Sequence, residues 1–275
     1  MSIQNCVLAV LVICAGASLF SAGPTEADKN LDREIRKALA AKDFPALPGL
    51  IKKLKDEAVS DQLRFFYCKT FVGSPRFSGP SLKASLDVLV HMYKKNEQKK
   101  HIRKSILQLV RSAVTGVKRN AKRFSVLLGF YRKIPDPAAL TRIKQIFGRF
   151  QDDSEVVKSL CEALENQRVP ESISILNSIY YSAWRKTDYT GVNPPRDHEK
   201  HLLFLSNISG KMKWALKSLT GKNVRSAEHF NNWWINNRRK FKVPPKPGDK
   251  KEKKKAAKEK KEKKEEKKES EEKKE

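Results

Sequence analysis

From Leu31 to Leu219 the apolar residues recur three and four apart, and no stretch alternates apolar with polar as a strand would. That period places one apolar face on each of a succession of helices. Leu31, Ile35 and Leu39 share the first face, and Leu47, Leu50, Ile51 and Leu54 the second. The pattern continues through Leu82–Tyr93, Ile102–Val117, Phe124–Tyr131, Leu140–Phe150, Val157–Leu164 and Ile173–Trp184. Each stripe must bury itself against another, so the fold class is all-α. About ten helices joined by short turns give pairs of about 40 residues, the HEAT and armadillo period. The expectation is a HEAT/armadillo-like α-solenoid of about five helix pairs. The repeats share little sequence, which leaves a plain helical bundle as the alternative.

Turn chemistry punctuates the helices. Gly73 to Pro80 (GSPRFSGP) and Thr187 to Pro195 (TDYTGVNPP) read as loops. Asp136-Pro137 predicts a cap followed by proline at the first helical position, and Ser154 predicts a cap for the next helix. Pro170 predicts another helix start, and Ser209-Gly210 marks a possible break in the run from His198 to Leu219.

The two ends of the chain have other compositions. Residues 6–22 (CVLAVLVICAGASLFSA) form an apolar run ending in small residues, which predicts a signal peptide over 1–23 and a secreted or periplasmic protein. The flanking MSIQN has no basic residue, and the run is just long enough to span a bilayer, so a retained N-terminal anchor is the alternative. Residues 244–275 begin with Pro244, Pro245 and Pro247 and continue as a Lys/Glu tract that cannot build a core. Between them, residues 28–243 read as one helical-repeat domain.

Charge bears on partners. The formal net charge is +27, and the 14 Lys and 9 Glu of residues 250–275 supply only +5 of it. The body is therefore basic in its own right, which favours an acidic protein, nucleic acid or an anionic envelope polymer. Lys99, Lys100, Arg103, Lys104, Arg111, Lys118, Arg119, Lys122, Arg123, Arg132 and Lys133 crowd two successive helices. They are either a solvated face or a stripe that binds polyanions.

Near the C-terminus, Leu216–Lys242 reads as a helix end stopped by Gly221, a polar turn, and a short helix capped by Ser226. Phe230, Trp233 and Trp234 fall three and four apart, so they share one face. The expectation is a lid closing the helical core; an exposed aromatic platform beside Arg238 and Arg239 is the alternative. The run ALKSLTG followed by FNNWWINNRRKF resembles the C-terminal signature of secreted bacterial HEAT-like repeat proteins, at Ala215, Leu219, Thr220, Gly221, Trp233, Trp234 and Asn237. It departs at Phe230, where that pattern usually has Trp. The likeness covers about thirty residues. It implies an α-solenoid and a protein-binding scaffold, and no catalytic residues.

No catalytic, cofactor or metal constellation stands out. His198 and His201 are three apart, where a zincin helix needs four, and no third ligand is evident. The sequence lacks the phosphate-loop, nucleophile-elbow and C-x-x-C patterns. Asn207-Ile208-Ser209 fits a glycosylation triplet but lies within a predicted helix. Cys68 and Cys161 sit among apolar residues and are expected as two buried thiols, with one disulfide as the alternative. The expected function is a non-enzymatic scaffold for a protein partner, with no cofactor and no small-molecule substrate. Binding of nucleic acid or another polyanion is the alternative.

Overall fold

A computed structural model describes residues 24–77, 79–189 and 194–245. Among these residues there are eleven α-helices, one short 3-10 turn and no strand. The helices are α1 (Glu26–Ala40), α2 (Leu47–Lys53), α3 (Asp61–Gly73), α4 (Pro80–Lys95), α5 (Lys100–Thr115), α6 (Ala121–Tyr131), α7 (Leu140–Phe147), α8 (Ser154–Gln167), α9 (Pro170–Arg185), α10 (His198–Thr220) and α11 (Ala227–Asn237). The 3-10 turn, Pro137–Ala139, leads into α7. The all-α class is as the periodicity requires. The chain forms two compact units that divide between Gln167 and Arg168.

In the first unit each helix from α2 to α6 touches the next helix but one: α2 with α4, α3 with α5, α4 with α6, α5 with α7, and α6 with α8. The strongest sequential contact is between α3 and α4. The predicted stripes supply the core, where Ile35, Leu47, Ile51, Phe71, Leu89, Ile106 and Phe124 are wholly buried. Cys68 and Cys161 are both buried thiols rather than a disulfide. Burial pushes the Cys68 thiol far up its pKa scale.

Local chemistry adds one feature at the start of α1 and departs from expectation in two places. Thr25 and Asp28 form a reciprocal capping box at the start of α1, and Asp28 also accepts from the Ser60 amide at 2.8 Å. Asp136 does not cap with its side chain. Its carboxylate is instead taken by Arg111, through Nε at 2.7 Å and Nη2 at 2.5 Å. Asp153, not Ser154, caps α8, since its Oδ1 accepts the amides of Glu155 and Val156.

In the second unit α9 packs against both α10 and α11. α10 runs unbroken through Ser209 and Gly210 for 23 residues. The Ser209 hydroxyl donates back to the Leu205 carbonyl, and a Cβ at Gly210 would meet nothing within 4 Å, so nothing there forces a break. Arg168, at φ 49°, donates to the carbonyls of Ser218 and Pro244 and ties the helix ends to the chain beyond α11. The apolar run of residues 1–23, Pro247 and the Lys/Glu tract lie outside the described residues.

Candidate functional site

In the first unit a cleft of about 510 Å³ crosses α4, α6 and α8, and a separate cleft of about 660 Å³ lies wholly in the second unit.

The 510 Å³ cleft is built on one row of next-but-one helices. Leu86 and Val90 from α4, Val126, Gly129 and Phe130 from α6, and Ser159 and Glu162 from α8 line it. Ion pairs cross it: Lys133 meets Asp87 at 2.6 Å, and Arg132 meets Glu162 at 2.9 Å. Gly129 leaves its floor open, since a Cβ there would meet nothing within 4 Å. Glycine inside a helix costs about 1 kcal/mol against alanine. A glycine within the apolar run FSVLLGFY was the sequence signal for this position.

The crowded basic residues do not form one stripe. Lys99, Lys100 and Lys104 are exposed at the N-terminal end of α5, while Lys118, Arg119 and Lys122 are exposed beyond its C-terminal end. Sixteen helical residues put these clusters roughly 24 Å apart. Four of the arginines have structural partners instead, Arg132 through its pair with Glu162. Arg123 is buried and donates to the carbonyls of Val72 and Phe77; burial pushes its pKa down. Arg111 is held by Asp136, and that hydrogen bonding raises its pKa. Arg103 lies 4.0 Å over the Tyr93 ring. A smaller cleft of about 340 Å³ remains on α5, lined by Tyr93, Lys100, Arg103, Lys104, Leu107 and Arg111.

The aromatic side chains of the C-terminal motif pack inward rather than forming a platform, whereas Gly221 and Asn237 are exposed. Phe230 and Trp234 are buried, and Trp233 packs on Phe230, Trp234 and Phe241. Trp234 Nε1 donates to the Ser174 hydroxyl at 3.3 Å. Thr220 donates to the Leu216 carbonyl, Gly221 takes φ 72° at the end of α10, and Asn237 donates to the Trp233 carbonyl. Leu219 is wholly buried. Arg238 lines the 660 Å³ cleft with Asn177, Tyr181, Arg185 and Asn231, whereas Arg239 is exposed outside that lining. Asn177 donates to Asn231, and its own Oδ1 has no partner.

Among the described residues, no group of three or more His, Cys, Asp or Glu side chains is placed to hold a metal, and no helix is long and apolar enough to cross a membrane. No family model matches the chain, and no curated protein or solved structure is similar to it.

Proposed function

We propose that the chain is a non-enzymatic scaffold, exported to the cell envelope, whose first unit is a HEAT-like α-solenoid that holds a protein partner. The observation that carries this reading is the cleft across α4, α6 and α8, laid over helices that contact each other next but one. Stacking of that kind leaves extended grooves suited to partners. The likeness of the C-terminal motif to secreted bacterial HEAT-like proteins supports it, as does the apolar run at the N-terminus.

The test is co-purification of the tagged protein from its host envelope, with a Gly129→Glu variant alongside. A Cβ at Gly129 meets nothing within 4 Å, so a side chain has room there, and circular dichroism checks that the variant folds. A stoichiometric protein partner retained by the native chain and lost from Gly129→Glu supports the scaffold. Equal retention by both moves the site away from this cleft.

A second reading is binding of nucleic acid or another polyanion. It is favoured by residues 98–135, which contain eleven basic residues and no acidic one. Binding of this kind weakens steeply with salt, because each neutralised phosphate releases counterions. Lys100→Glu with Lys104→Glu then weakens retention on single-stranded DNA, while Gly129→Glu leaves it unchanged.

A further inference from the structure

We propose that α10 docks through one exposed face on an anionic membrane surface. Leu203 is 65% exposed, Trp214 47% and Leu202 46%, which is half of the six large apolar side chains left exposed among the described residues. Eleven residues make three turns, so Trp214 returns to within about 20° of Leu203, roughly 16 Å along the axis. Tyr189, also exposed, lies with its ring 6.2 Å from that of His198, one turn before Leu202. Gly210, between Leu203 and Trp214 on the same face, has open space around it.

The charges on this helix identify the occupant. Between His198 and Thr220 the helix carries four lysines, Lys200, Lys211, Lys213 and Lys217, against one acidic residue. Lys213 and Lys217 are exposed, and Lys211 Nζ lies 4.9 Å over the Trp214 ring. Glu199 is the acidic neighbour in the first turn, and Lys200 is paired with Asp197. A second copy of this face would set lysines against lysines. An anionic bilayer takes both features: the indole at headgroup level, leucine deeper, and the lysine stems reaching the phosphates. The helix lies along the surface; it is not apolar enough to cross.

The test uses the full chain with vesicles of phosphatidylcholine alone and of phosphatidylcholine mixed with phosphatidylglycerol. Sedimentation reads partitioning. The emission difference between the native chain and Trp214→Phe isolates Trp214 from the other tryptophans. The anionic vesicles are expected to sediment the protein and to shift Trp214 emission to the blue. Leu203→Asp is expected to lower partitioning about tenfold and to abolish the shift, with unchanged circular dichroism. Sedimentation without a Trp214 shift is adsorption through other basic segments and overturns the proposal. So does a shift that grows with protein concentration in the absence of vesicles, which assigns the face to a second copy, and so does a failure to sediment.

Discussion

Arg123 belongs by sequence to a basic stretch and by structure to the core. Its guanidinium satisfies two carbonyls, those of Val72 and Phe77, from a side chain only 4% exposed. Arg123→Met leaves both carbonyls without that donor and is expected to destabilise the protein by about 2–3 kcal/mol, read as a lower urea midpoint. Asp28 and Asp61 set the acid limit. Burial pushes both carboxyls up, but hydrogen bonds outweigh it: those from Ser60 and Thr25 at Asp28, and from Arg64 and Asn96 at Asp61. Their folded pKa values are therefore depressed. The stability they contribute is present above the unfolded carboxyl pKa of about 3.9 and is lost as pH falls through the folded values. Resistance to urea is expected to fall below about pH 4, read as a lower urea midpoint, and Asp61→Asn to flatten that limb. Nothing in the sequence near Arg123 announces its burial, because its partners lie 46 and 51 residues away.

At the scale of elements, local signals were legible. Ser226 caps α11 by accepting the His229 amide, and Gly221 ends α10 in the left-handed region, both as the sequence indicates. Gly221→Ala is expected to cost about 1 kcal/mol, measured as a shift in thermal midpoint without loss of helix content. Asp136 was not legible as an ion-pair partner. A proline after an aspartate is a sound helix-start signal, yet Arg111, 25 residues earlier, offers two charged donors to the same carboxylate.

At the scale of the whole molecule, both body cysteines fall in the first unit and both are buried. A maleimide is expected to label neither in the native protein and both in urea, with labelling that tracks global unfolding; rapid native labelling would contradict the burial. The sequence by itself determined the all-α class, the apolar face of each helix and most helix ends, because these rest on spacing within a few residues. Only the tertiary structure decided which basic residues face solvent, that the C-terminal tryptophans pack inside the second unit, and that a cleft crosses α4, α6 and α8. Those outcomes depend on contacts between residues dozens of positions apart, and no local period encodes them.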